Sequence, residues 1–186
     1  SGRSLAPALW ATTVWQSDDM TDARRRATGT RADEFYSRYA NPTVRSFEEA
    51  VADLEGAEAA LAFASGMGAI STVVLALCSQ GDHVVAQRNL YSATLAFLQG
   101  PCARFGIDVT FVDGTVPGAF ADAVRPGRTM LVLAETPSNP RLGIVDLDEL
   151  GALRGPITVV DSTFATPLGQ QPLAHGVHLS LHSATK

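Results

Sequence analysis

The chain has 186 residues, a formal net charge of -5, and a composition of 46% hydrophobic and 18% charged residues. That is enough for one domain with a sizeable core, and it argues against a disordered or fibrous chain. Arg24, Arg25 and Arg26 stand together without a wider basic stripe, which argues against nucleic-acid binding, and no apolar run is long enough to span a bilayer.

Taken from the N-terminus, Ser1 to Pro7 lacks the basic-then-apolar layout of a signal peptide. Residues 1 to about 40 show little periodicity and are predicted to form an extended arm or irregular leader. Asp18 and Asp19 read there as solvated acids. From Asn41 the pattern changes. Asn41 can cap a helix, Pro42 suits its first turn, Val44, Phe47, Val51 and Leu54 recur at helical spacing, and Gly56 ends the segment. Short apolar runs then follow at Ala60–Ala64, Val84–Ala86, Val109–Val112, Met130–Ala134, Ile157–Val160 and Val177–Leu181. Between them lie helical stretches near 67–78, 92–105, 118–124 and 146–153, the second of which Pro101 is expected to break.

Strands alternating with helices predict an α/β fold, a mostly parallel sheet flanked by helices. In such folds ligands bind at the C-terminal ends of the strands. Polar residues do gather just after the apolar runs: Ser65 to Gly68, Glu135 and Asn139, Asp161, and Ser183 to Lys186.

Each cluster taken alone has an ordinary reading beside a functional one. Ser65-Gly66-Met67-Gly68 can be a tight turn or a phosphate-binding helix start. It is neither a dinucleotide fingerprint, since Ser71 holds the third glycine position, nor a Walker loop, which weighs against a nucleotide-binding protein. Asp161 can cap a turn or face a protonated ring nitrogen. Lys186 can be a solvated surface lysine or an imine-forming amine. Thirteen of the fourteen basic residues are arginine, so Lys186 is the one side-chain amine in the chain. His178 and His182 are four apart, a helical metal spacing, but they lie on a predicted strand and lack the HExxH glutamate. No metal site is expected. Cys78 and Cys102 form no CxxC pair and read as reduced thiols of a cytoplasmic protein.

The clusters occur in a recognisable order: Tyr36-Ser37-Arg38-Tyr39-Ala40-Asn41-Pro42-Thr43, Ala64-Ser65-Gly66-Met67-Gly68-Ala69, Tyr91, Glu135-Thr136-Pro137-Ser138-Asn139-Pro140, Asp161-Ser162-Thr163-Phe164, and His182-Ser183-Ala184-Thr185-Lys186. From about Tyr36 to Lys186 the chain resembles the Cys/Met-metabolism enzymes dependent on pyridoxal 5'-phosphate (PLP). These include cystathionine γ-lyase, cystathionine γ-synthase, methionine γ-lyase and the homoserine sulfhydrylases. The resemblance implies the fold type I of PLP-dependent transferases. Residues 1–40 would be an arm contacting a neighbouring subunit, and 41–186 a PLP-binding large domain, incomplete because the family continues for a comparable length beyond the lysine.

The resemblance also implies roles. Lys186 would carry the cofactor and move protons. Asp161 would keep the ring nitrogen protonated, and Tyr91 would stack on the ring and assist as acid or base. Asn139 would bond the ring hydroxyl. Gly66, Met67, Ser183 and Thr185 would hold the phosphate, with Ser65 and Thr163 also lining the cofactor site. Tyr36 and Arg38 would reach a neighbouring subunit's phosphate, which implies a homodimer or homotetramer with shared sites.

The implied reaction is C–S cleavage of a sulfur amino acid, with cystathionine giving cysteine, 2-oxobutanoate and ammonia. The rival is γ-replacement on an activated homoserine, and a non-catalytic homologue with an assembly role is the alternative of another class. Two departures stand out. Ser162 occupies a usual asparagine position, and Ala93 replaces the cysteine typical of methionine γ-lyases.

Overall fold

The computed structural model describes residues 6–29 and 34–186. They form two compact units, the described part of Ser1–Asp53 with Glu58–Ala62, and Leu54–Ala57 with Phe63–Lys186. No helix among the described residues is long and apolar enough to cross a membrane.

In the first unit, α1 (Met20–Thr28) stands where only an irregular leader was expected. It buries none of its residues, so apolar periodicity could not announce it. Local polar chemistry holds it instead. Asp19 is its N-cap, accepting from the Asp22 N–H at 2.8 Å, and is therefore more than a solvated acid. Asp22 in turn pairs with Arg25 at 2.6 Å and Arg26 at 2.8 Å, one turn ahead. Helix α2 (Pro42–Glu55) begins as predicted: Asn41 Oδ1 accepts from the Thr43 N–H at 2.8 Å, and Gly56 leaves the helix with φ +64°.

The second unit is built on five parallel strands, β1 (His83–Gln87), β2 (Asp108–Val112), β3 (Thr129–Glu135), β4 (Ile157–Asp161) and β5 (Leu179–Leu181), ordered β2-β1-β3-β4-β5. Alternate residues point to opposite faces, and both faces are covered. Val84, Ala86, Leu131, Leu133 and Val159 pack with Ile70 and Val74 of α3 (Gly66–Leu77). Val85, Val132, Ala134 and Val160 pack on the other side with Phe120 of α5 (Ala119–Ala123) and Leu147 and Leu150 of α6 (Leu147–Ala152). Burial on both faces is why β3 and β4 read as nearly continuous apolar runs. Each fully buried aliphatic side chain contributes about 1.5–3 kcal/mol to this core.

Two expectations fail here. The run Ala60–Ala64 forms no strand. Leu61 and Phe63 are exposed, and among the described residues the segment pairs with no other strand. An apolar run becomes a strand only where a neighbouring backbone accepts its N–H and C=O groups. Pro101 does not break its helix either. Helix α4 (Ser92–Phe97) passes into a π-turn over Leu98–Cys102 that contains Pro101, and the wider turn accommodates a residue with no N–H to donate.

Candidate active site

Because all five strands are parallel, their C-terminal ends share one edge of the sheet. Glu135 of β3 lies in register with Asp161 of β4, which lies in register with Leu181 of β5. The strand order reverses between β1 and β3, so the crevice expected of a doubly wound sheet opens beyond Gln87 and Glu135.

Helix α3 starts at this edge. Ser65 is its N-cap, with Oγ accepting from the Gly68 N–H at 3.0 Å, so the hydroxyl predicted for cofactor contact also serves the helix. Met67 Sδ takes the Thr94 hydroxyl at 3.6 Å, which leaves the Met67 backbone as its group nearest the helix start. A Cβ added at Gly66 would lie 3.0 Å from Ser183 Cβ, so glycine permits the α3 start and the Ser183 turn to meet. In that turn Ser183 Oγ and Thr185 Oγ1 are 2.7 Å apart, and the Lys186 N–H reaches the Ser183 carbonyl at 3.4 Å. Lys186 is exposed.

Asp161, buried at the end of β4, is oriented from one side. Its Oδ1 accepts from the Thr163 N–H at 3.0 Å and the Thr163 hydroxyl at 2.5 Å. Among the described residues every hydrogen bond to this carboxyl falls on Oδ1, which leaves Oδ2 for a ligand. Thr163 Oγ1 also accepts from the Ser183 N–H at 2.8 Å. One threonine thus couples the acid of β4 to the turn that ends in Lys186.

Sequence reasoning noted Ser162 and Glu135 without giving either a role, and passed over Gln87 and Gln170; all four organise the edge. Ser162 is fully buried. Its Oγ accepts from Gln170 Nε2 at 3.0 Å, and the same amide donates to the Thr136 carbonyl at 3.0 Å. The Asp161-Ser162 loop is therefore tied to the loop after β3, and a small hydroxyl at 162 has a structural partner. Glu135, 5% exposed, accepts at Oε2 from the Tyr91 N–H at 2.6 Å and at Oε1 from the Asn139 N–H at 2.7 Å. Gln87 Oε1 accepts from the Glu135 N–H at 2.9 Å. A polar cluster after a buried strand was the available signal, but which oxygen faces which loop is a tertiary matter. The loop beyond is held internally, with Ser138 Oγ accepting from Gly143 N–H and Thr136 Oγ1 from Val145 N–H. Tyr91 is exposed and Asn139 is partly buried.

Burial pushes the Glu135 carboxyl up from 4.5 to about 7. The nearby Asp161 charge adds to the rise, while the two N–H bonds oppose it. Between pH 4.5 and 7 the folded chain therefore keeps a proton that the unfolded chain has released. Stability falls as pH rises through this window and levels off above it. Melting the full-length protein and its Glu135→Gln variant at pH 5 and pH 8 checks this. The wild type should lose ground against the variant at pH 8, and a pH-independent difference would refute the shift.

His178 and His182, the pair set aside as a metal site, have separate partners. His178 Nδ1 accepts from the Thr158 N–H at 3.1 Å, and His182 Nε2 faces Glu55 Oε1. No group of three or more His, Cys, Asp or Glu side chains suited to a metal occurs among the described residues. Tyr36 and Arg38 lie in the other unit. There the Arg38 guanidinium stacks over the Tyr36 ring at 4.9 Å and the Tyr39 ring at 5.8 Å.

The chain is similar to an O-succinylhomoserine sulfhydrylase of Pseudomonas aeruginosa, at 43% identity over 96% of this chain and 45% of that protein. It is similar also to an L-methionine gamma-lyase of Fusobacterium nucleatum, at 40% identity over 98% of this chain and 47% of that protein. The Campylobacter jejuni MetY protein, solved with N'-pyridoxyl-lysine-5'-monophosphate, superposes with a TM-score of 0.89 at 27% identity, covering 99% of this chain and 46% of that one. The chain thus spans about half the length of the relatives it matches. Residues 1–186 match the family described as Cys/Met metabolism PLP-dependent enzyme, and with the parallel sheet and its C-terminal polar edge this places the chain in that family, on the fold type I of PLP enzymes.

Proposed function

We propose that the full-length protein is a PLP-dependent enzyme that breaks the bond at the γ-carbon of a sulfur amino acid, with cystathionine giving cysteine, 2-oxobutanoate and ammonia. The observation that carries this reading is the convergence on one sheet edge of a lone amine, an oriented buried carboxylate and a helix start packed against two hydroxyls. The donor set fits the cofactor. The α3 start, the Ser183 and Thr185 hydroxyls and the close approach at Gly66 suit a phosphate. Asp161 Oδ2 suits a protonated ring nitrogen, the Asn139 side chain a ring hydroxyl, and the Tyr91 ring a stacking face.

Bound there, PLP supplies an electron sink for a carbanion next to the substrate's amine. The chain's residues do the rest. Asp161 Oδ2 would face the ring nitrogen, and Thr163 holds the carboxyl's orientation. Lys186 Nζ would hold the cofactor and, as the one side-chain amine of the chain, would serve as base at the substrate's α-carbon and as proton carrier to the next atom. Tyr91 would stack on the ring and shield it from water.

A second reading, γ-replacement on an activated homoserine, is favoured by the likeness to an O-succinylhomoserine sulfhydrylase. The two part after the γ-substituent has left, so products decide. The full-length protein is incubated with cystathionine, and separately with O-succinylhomoserine plus a thiol. Release of 2-oxobutanoate and cysteine from cystathionine supports the lyase. Turnover only in the second mixture overturns it in favour of replacement, and a protein that takes up no PLP overturns both.

Replacing Gly66 by alanine tests the cradle. Ser183 would have to give by a few tenths of an ångström while Thr163 and Thr185 hold it. The full-length variant should fold and bind PLP about tenfold more weakly by equilibrium dialysis, a loss of about 1.4 kcal/mol. Unchanged affinity would place the phosphate elsewhere.

Assembly belongs to the same reading. Leu9, Trp10 and Val14 of the arm and Val44 and Phe47 of α2 are exposed apolar side chains, suited to cover by a second copy in a homodimer or homotetramer. Tyr36 and Arg38 would complete a neighbour's phosphate site. Mixed oligomers of the inactive Lys186→Ala and Arg38→Ala proteins should then regain part of the activity, which unshared sites would not allow.

A further inference from the structure

We propose that Glu135 is the positioning residue that holds the Tyr91 and Asn139 loops at a fixed separation across the switch point of the sheet. The inference rests on the proposed cofactor site, in which Tyr91 and Asn139 face the ring, and adds the group that sets their spacing.

The geometry is that of a clamp. β1 and β3 are neighbours, but the chain leaves them in opposite directions, to β2 on one side and β4 on the other. The ladder between β1 and β3 pairs residues as far as Ala86 and Leu133, short of the loops that carry Tyr91 and Asn139. Glu135 supplies the tie. Its two oxygens each take one backbone N–H, Tyr91 at 2.6 Å and Asn139 at 2.7 Å. Its backbone is itself fixed by Gln87 at 2.9 Å, from the last residue of β1. The residue is 5% exposed, so water has little access to the carboxylate.

Only glutamate meets the chemical requirement at this distance. A carboxylate accepts at both oxygens and donates nothing, and N–H bonds to a charged acceptor are short and strong. Glutamine has one acceptor and would turn an N–H₂ against the second N–H group. Aspartate keeps both acceptors on a stem shorter by one methylene. Asp161, in register on β4, is a neighbouring like charge, so the two buried carboxylates are divided between two tasks. Thr163 orients Asp161 toward the site, and Glu135 faces the loops. Both Glu135 oxygens are spent on backbone, which makes it a positioning residue and leaves the chemistry to its neighbours.

The test uses the full-length holoenzyme at pH 8 with Glu135→Gln and Glu135→Asp. Apo melting temperature reports folding. The visible circular dichroism of bound PLP reports how the ring is held, equilibrium dialysis reports PLP affinity, and steady-state kinetics separate kcat from KM. In folded Glu135→Gln the dichroism should fall by about half, PLP should bind about tenfold more weakly, and kcat should drop about tenfold with little change in KM. Glu135→Asp should lie between it and the wild type. Folded variants with wild-type dichroism and PLP affinity overturn the proposal. So does failure of both variants to fold, because the carboxylate would then be scaffold. A wild-type protein that binds no PLP sinks the functional reading instead, and the two failures are told apart by the wild-type colour alone.

Discussion

Replacing Lys186 with alanine in the full-length protein is expected to abolish covalent cofactor retention and to lower turnover by about 10³-fold or more. Lys186 is the one lysine of a chain with thirteen arginines, and arginine keeps its proton and cannot form an imine. It sits at the end of the turn that begins after β5, which Thr163 ties to Asp161. A loss of the amine cannot be made good by a neighbour in this chain. Borohydride reduction provides the check. It should fix PLP to the wild-type peptide that contains Lys186, and fix none to Lys186→Ala. Lys186→Arg, which keeps the charge but not the nucleophile, should behave as alanine does. Stable attachment of PLP in either variant would remove Lys186 from its role.

Replacing Asp161 with asparagine should cost about 10²–10³-fold in kcat while the protein stays coloured. The amide oxygen can still accept from the Thr163 N–H and hydroxyl, so the loop and the Ser183 turn keep their places. What disappears is the negative charge at the end of β4. With it goes the preference for a protonated ring nitrogen and much of the electron-withdrawing power on which carbanion formation depends. The two variants therefore separate two losses. Lys186→Ala loses the covalent anchor and the proton carrier, whereas Asp161→Asn retains the anchor and loses the electronics. An Asp161→Asn enzyme with wild-type kcat would mean that another group charges the ring.

The exposed Tyr91 ring and the buried Glu135 beneath its loop show how far residue order can go. The roles expected of Tyr91, Asn139, Asp161 and Lys186 come from their place in the order of short local motifs, which can be read along the chain. The clamp that joins the first two connects positions forty-four and four residues apart, and no local pattern encodes it. Ser162 is similar. In the chain it is a departure without a reason, and in the fold it is the buried acceptor for Gln170. Helix α1 escaped notice because it buries nothing and rests on Asp19, Asp22 and the arginines that follow. Ala60–Ala64 misled in the opposite sense. Apolar content signals burial or pairing without saying which partner will come, and none comes among the described residues.

From residue order alone came the alternation of buried runs and helices, the capped start of α2, the polar residues after β3, β4 and β5 and the lone lysine that ends the chain. These follow from periodicity and local chemistry, which act over a few residues. The three-dimensional fold decided the order β2-β1-β3-β4-β5, the meeting of Gly66 with Ser183, the one-sided hold of Thr163 on Asp161 and the two loops held by Glu135. Each depends on which backbones lie side by side, and that is settled by the packing of two apolar faces rather than by any neighbour in sequence.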